Sequence, residues 1–467
     1  MKVAAGLAAL SMLAGAGAAA AETVLGAYIF HRHGDRTAKA LAPTNLTTLG
    51  YEQVYTSGQY YRARYLEGSS KIRGINKDQV KLSQLAVTAP VDNVLQSSAM
   101  GFLQGLYPPV KTVQTLANGQ SVQAPMDGYQ LIPVNTVQTG AASEDSGWLQ
   151  DASACANAKT SSNNFFASQE YKDLFHSTKT FYASVVPAVN NVFSADQVTL
   201  KNGYVVYDLL NVASIHNATT STTPSNATLF QLRTLADAHE WGLSYNESDK
   251  TRAIAGMQLA GEILTYLNGT ISSSGASKLG IQFGAYGTFM SFFGLANLTA
   301  ASQDFKGIVD YASSMAFELF TDADTSSGFP AQQDLQVRFL FHNGTASNAS
   351  APTVYPLFGG QNDAVSWSDF QAGLAKFAVS TTQEWCQTCG NTTGQCAAAT
   401  SPRAGAKQQQ QGKGGISPAV GGVIGAFVTL AVVLGLAVAI MLIGGLTLVS
   451  KKSITKGAEG VRVEPKA

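Results

Sequence analysis

The sequence predicts a mixed α/β ectodomain with an inserted helical domain, followed by one C-terminal transmembrane helix. Three observations predict it. Short strand-like runs are separated by helical stretches at both ends of the ectodomain. Between them, helical runs follow one another without an intervening strand. Finally, Ala419 to Val449 contains no charged residue and is longer than the roughly 20 apolar residues that cross a bilayer core.

Taken in order, Met1–Ala21 has Lys2, an Ala/Leu-rich run and a small-residue end, the build of a secretory signal peptide. Thr23–Phe30 (TVLGAYIF) reads as a buried strand. Thr and Asn start signals precede apolar residues at helical spacing, so a helix is expected from about Thr48. QVKLSQLAVTA alternates like a strand, and VLQSSAMGFLQGLYPP reads as a helix stopped by Pro108 and Pro109. SQEYKDLFHSTKTFYASVVPAVNNVF, TLFQLRTLADAHEWGLSY and TRAIAGMQLAGEILTYLNGT read as helices. LGIQFGAYGTFMSFFGL is expected to be strand, turn and helix, and QDLQVRFLFHNGTA a strand. The expected boundaries are 1–21 signal peptide, 22–145 and 261–400 the two parts of the α/β domain, and 146–260 the inserted helical domain. A flexible stalk at 401–418, the membrane helix at 419–449 and a cytoplasmic tail at 450–467 complete the chain.

Charged residues make up only 13% of the 467 residues and the formal net charge is zero, so no nucleic-acid partner is indicated. Lys451, Lys452 and Lys456 follow the apolar run and orient the tail to the cytoplasm, giving a single-pass protein with its ectodomain extracellular or lumenal. N-x-[ST] triplets begin at Asn45, Asn217, Asn226, Asn246, Asn268, Asn297, Asn343, Asn348 and Asn391, all on the side of the membrane where glycosylation occurs. Cys155, Cys386, Cys389 and Cys396 are an even set in a secretory context, which favours two disulfides with three possible connectivities. No second C-x-x-C or nearby histidine accompanies Cys386 and Cys389, so no metal site is expected there.

For a chain so poor in charge, Tyr28–Ala40 (YIFHRHGDRTAKA) is unusual. His31, Arg32, His33 and Arg36 crowd around Gly34 and Asp35 directly after an apolar strand. Guanidinium groups grip phosphate oxygens in pairs, and an imidazole between them can attack phosphorus. Gly34 lets the backbone approach a ligand closely. A surface basic loop partly neutralised by Asp35 is the competing interpretation.

Arg32-His33-Gly34-Asp35-Arg36-Thr37 resembles the R-H-G-x-R signature of the histidine acid phosphatases, the branch that includes fungal phytases. LTTLGYEQVYTSGQYYRARYL, VLQSSAMGFLQGLYPP, YPLFG and EWC are similar to further blocks of that family, and the resemblance spans roughly residues 23 to 396. It implies a phosphoglycerate-mutase-like α/β domain with a mainly parallel sheet flanked by helices, an inserted helical domain, and a site between the two. It further implies His33 as phosphate acceptor, Arg32 and Arg36 as clamps on the phosphoryl oxygens, a phosphohistidine intermediate, and no cofactor or metal.

The resemblance is incomplete. The family's second block carries an arginine, whereas TAPVDNVLQSSAM has Asp92 and Asn93 and no arginine lies between Ile75 and Phe230. The family's His-Asp pair, whose Asp protonates the leaving oxygen, is replaced in IQFGAYGTF by Tyr286 and Gly287. None of the six histidines precedes an aspartate; His239-Glu240 comes nearest, inside an expected helix, and reads as a structural pair. Tyr286 and Asp92 are the surrogate proton donors the sequence offers. General acid catalysis is worth about 10²–10⁴-fold, so alkyl esters should suffer most and aryl phosphates less. Two functions are therefore expected: impaired hydrolysis of extracellular phosphomonoesters, or a degenerate cell-surface member, a pseudoenzyme, that binds phosphate or a small phosphorylated molecule without turnover.

Overall fold

The structure, a computed structural model, describes residues 22–136, 154–217 and 224–397, all within one compact unit. The segments expected to be signal peptide, stalk, membrane helix and tail lie outside the described residues. Among the described residues no helix is long and apolar enough to cross a membrane.

The chain opens with β1 (Thr23–Arg32), α1 (Thr48–Arg62), β2 (Leu85–Ala89) and α2 (Leu95–Leu106). A small hairpin of β3 (Val113–Thr115) and β4 (Ser121–Gln123), a single turn α3 (Pro125–Gly128) and the short β5 (Asn135–Thr136) follow. Only helices come next: α4 (Ala156–Ala167), α5 (Gln169–Ser177), α6 (Lys179–Val189), α7 (Gly203–His216), α8 (Asn226–Ser244) and α9 (Ile254–Ser272). The chain then returns to the sheet with β6 (Leu279–Gly284), α10 (Tyr286–Leu295), β7 (Ser314–Thr321), β8 (Gln336–His342), β9 (Thr353–Tyr355) and β10 (Ala364–Ser366). It ends in α11 (Trp367–Ala375) and α12 (Thr382–Cys389).

The main sheet runs β10-β8-β7-β1-β6-β2-β5, with β9 on β8. It is mixed, which corrects the expectation of a mainly parallel sheet. β1, β6, β2 and β5 pair in parallel, whereas β7 joins β1 antiparallel and β8, β9 and β10 continue antiparallel. β7 escapes a reading of sequence pattern. It is buried along its whole length, so it shows no alternation. Its apolar run is broken by Glu318, fully buried between Arg64 and Arg338 at 2.6 Å each.

β1 is the central strand, and its side chains alternate between two cores. Tyr28 and Phe30 pack with the layer that includes α8, α9, α10 and α11; Ala27 and Ile29 face α1 and α2. Because β1 and β6 run parallel with Arg32 opposite Gly284, the segments that carry His33 and Tyr286 leave the sheet at the same end. Ligand sites of open α/β sheets form at such carboxyl ends.

Candidate active site

The loop after β1 is held from three sides. Thr47 caps α1 by accepting from Gly50 N at 3.0 Å, and its hydroxyl donates to the Asp35 carboxylate. Gly34 N donates to Ser98 Oγ of α2 at 3.2 Å, and Asp35 N to Gln53 of α1 at 2.8 Å. On the far side the loop before β7 is pinned by Arg32 N to Ser313 O and Ala312 N to His33 O, both at 2.8 Å.

His31 and His33 are both fully buried, with different surroundings. The His31 ring packs between Phe102 and Phe283 at 5.1 Å, on the α1/α2 side of the sheet. Burial, reinforced by the charge of nearby His33, lowers its pKa to about 4. It is a core residue, not part of the phosphate loop. His33 donates Nδ1–H to Gly34 O at 2.7 Å, which fixes the tautomer with the lone pair on Nε2, the form a nucleophile needs.

Around His33 stand cations stacked on tyrosines. The Arg32 guanidinium lies 4.8 Å from the Tyr311 ring centroid and 5.3 Å from that of Tyr286, and donates to Val309 O. Lys39 Nζ lies 5.1 Å from the Tyr204 centroid and 5.6 Å from that of Tyr286. Arg36 is fully buried and grips Asp208 with both terminal nitrogens, at 3.2 and 3.0 Å, while Tyr204 accepts from it at 3.1 Å. Asp208 also accepts from Lys39 N at 2.8 Å. Burial and the nearby Asp208 charge hold the Tyr311 hydroxyl well above its usual pKa, so it stays neutral. Arg36 also lies 5.8 Å from the Tyr311 centroid, but its charge is met by Asp208.

Arg32, His33 and Tyr286 are thus brought together. Arg36 belongs to the same cluster but is turned to a protein carboxylate, so it is not an open clamp of the kind the signature implied. Asp92 is placed differently from a proton donor: its Oδ1 accepts from Val94 N at 2.8 Å and from Leu95 N, in the turn that leads into α2.

Sequence reasoning missed Lys39, Tyr204, Asp208 and Tyr311, and read Glu240 as structural. Tyr286 Oη donates to Glu240 Oε2 at 2.8 Å, and His239 Nδ1 meets Oε1 at 2.8 Å, so α8 delivers a carboxylate to the tyrosine that replaces the family's histidine. One signal was available. Asp208 sits alone in the apolar helix GYVVYDLLNV, and a buried carboxylate there demands a cationic partner.

The cysteines pair as Cys155–Cys389 and Cys386–Cys396, so the C-x-x-C is not a disulfide with itself. Asn45, Asn217, Asn226, Asn268, Asn297, Asn343 and Asn348 are exposed, while Asn246 and Asn391 are partly covered. The Asn391 amide donates to Ala154 O at 2.6 Å. Among the described residues no group of three or more His, Cys, Asp or Glu stands close enough to hold a metal ion.

A mixed α/β sheet with an Arg-His-Gly loop at its parallel strand ends is the architecture of a histidine phosphatase. The chain belongs to the histidine phosphatase superfamily, branch 2, whose sequence pattern matches residues 41–342. That match begins past the loop, so the Arg32–Arg36 motif is a separate observation. Prostatic acid phosphatase of Homo sapiens is 28% identical over 306 residues, 62% of this chain and 72% of that protein. The Bos taurus protein of the same name is 27% identical over the same shares. Among solved structures, apo Hafnia alvei phytase gives a TM-score of 0.53 at 12% identity, covering 79% of this chain and 98% of its own. Citrobacter braakii phytase gives 0.53 at 14%, covering 79% and 99%. These two are similar to the chain in fold alone.

Proposed function

We propose that the ectodomain hydrolyses extracellular or lumenal phosphomonoesters through a phosphohistidine at His33, with aryl esters favoured over alkyl ones. The observation that carries this is the His33 Nδ1–H bond to Gly34 O, which orients the ring so that Nε2 is the nitrogen left for phosphorus at the end of β1. Arg32 and Lys39 supply cationic donors for the phosphoryl oxygens, and a charge-assisted hydrogen bond contributes about 1.5–3 kcal/mol. With Arg36 neutralised by Asp208, the site suits a single phosphoryl dianion better than a polyphosphorylated ring. Two disulfides support a secretory-pathway location, and the apolar run 419–449 supports a single membrane anchor.

The test is release of phosphate from 4-nitrophenyl phosphate by the full-length protein near pH 5. Turnover abolished in His33→Ala is the expected result; equal slow release by both proteins would refute the proposal.

The Arg36–Asp208 pair favours a second reading, phosphate binding without turnover. Removing the Asp208 charge leaves Arg36 buried and unneutralised, a loss of about 3–5 kcal/mol. Inorganic phosphate could then take the place of that carboxylate. Under this reading Asp208→Asn has a lower Tm than wild type but gains more Tm from millimolar phosphate. An equal phosphate response in the two proteins would count against it.

A further inference from the structure

At the end of the sheet opposite His33, two cations face one cavity. Arg73 N donates to Val24 O near the start of β1 at 2.8 Å, and Lys278 directly precedes β6. Both side chains line a cavity of about 610 Å³, together with Ser274, Gly275, Ser327 and Gly328. Lys278 is only 9% exposed. Its ammonium donates to Arg73 O at 2.7 Å and to Gly275 O at 2.6 Å, which commits two of its three N–H groups. The partly buried Arg73 gives one terminal nitrogen to Gly328 O at 2.7 Å. Among the described residues neither cation forms an ion pair with a carboxylate; exposed Asp324 feels the Arg73 charge from farther away. Burial, and then the like charges of Arg73 and Lys81, hold the Lys278 pKa below its usual value. A buried charge without a counter-charge is costly, and here the fold sets a like charge beside it.

The wall of the cavity is a second, independent observation. Ser274 has φ of +51°, a left-handed conformation that few residues with a side chain adopt, while Gly74 and Gly275 have φ of +69° and +78°. Backbone held in such sparsely populated conformations clusters at ligand sites. A Cβ added at Gly74 would stand 3.6 Å from Lys278 Nζ, and one at Gly275 would stand 3.8 Å from it, so both glycines keep the approach to the ammonium open. We propose that this cavity is a second anion site, one that takes inorganic phosphate or a similar tetrahedral oxyanion away from the catalytic loop. The third Lys278 N–H, the rest of the Arg73 guanidinium and the Ser274 and Ser327 hydroxyls are its donors. The planar fork of an arginine matches two oxygens of such an anion, and the lysine adds a point charge. Two cations of one sign in a walled cavity also raise the local concentration of anions. The site stands at the far end of β1 and β6, so its occupancy is independent of turnover at His33.

The test is equilibrium dialysis of the full-length protein against ³²P-labelled inorganic phosphate, with sodium chloride holding the ionic strength constant. Wild type is compared with Arg73→Gln, which removes one charge, and with Gly74→Asp. The second change sets a carboxylate beside the Lys278 ammonium, at a left-handed backbone position that aspartate tolerates. Each variant is expected to bind one equivalent of phosphate fewer than wild type, whatever the catalytic loop binds. Equal stoichiometry in wild type and both variants overturns the proposal. A measurement on the wild type alone serves if the variants do not fold: the rate at which acetic anhydride labels Lys278, read by peptide mass spectrometry. Phosphate at about ten times its dissociation constant is expected to slow that labelling about 10-fold relative to chloride. Labelling at the same rate in phosphate and in chloride overturns the proposal as well.

Discussion

His31 and His33 lie two residues apart yet meet different requirements. Strand alternation sends His31 into the aromatic core and leaves His33 at the strand's end, where the loop carbonyl fixes its tautomer. The His31 pKa of about 4 has a measurable consequence. In an unfolded chain the group titrates near 6.5, so between these values the unfolded state binds more protons than the folded one. Stability is complete above pH 6.5 and declines as pH falls toward 4, by about 3 kcal/mol in total. His31→Asn, which cannot titrate, is expected to show a flatter fall in Tm between pH 7 and 4 than wild type; an equal slope would contradict the assignment. At this scale the motif was legible because Arg, His and Gly at that spacing carry phosphate chemistry. Its electrostatic context was not, because Asp208 and Glu240 arrive from helices far along the chain.

Between elements, the site depends on how closely the loop after β1 approaches α1. A Cβ added at Gly34 would stand 2.1 Å from Gly50 O, and one at Gly50 would stand 2.0 Å from Asp35 O. Both contacts are to backbone, so neither can be relieved by turning a side chain. Gly50→Ala is expected to cost about 1–3 kcal/mol by overpacking and to lower kcat by moving the loop. Gly269→Ala, in α9 where nothing lies within 4 Å, should instead raise Tm slightly. Differential scanning calorimetry with kcat on the same samples separates the two. Elements with clean punctuation were legible: Thr47 before α1, Pro108 after α2, and the apolar period of α9. β7 and α7 were not, since each places a buried acid within an apolar run and so breaks the pattern on which recognition depends.

For the molecule as a whole, the sheet's two halves and the helices between β5 and β6 are tied by chemistry remote from the site. Cys155–Cys389 joins α12 to the residue that begins α4, across a sequence separation of 234, while Cys386–Cys396 spans 10. Chain entropy assigns about 5 kcal/mol to the first closure and about 3 kcal/mol to the second. Cys155→Ser with Cys389→Ser should therefore lower the urea midpoint more than Cys386→Ser with Cys396→Ser, and the reverse order would contradict this. The α/β class could be read from strands alternating with helices, whereas the antiparallel half of the sheet could not, because direction follows from connections that leave no local mark. The claim on which the account rests is that His33 carries the phosphoryl group. Rapid mixing of the full-length protein with ³²P-labelled aryl phosphate, followed by an alkaline quench, tests it directly. The account predicts protein-bound label that is stable to base, lost in acid and absent from His33→Ala; phosphate release with no such label in wild type would contradict it.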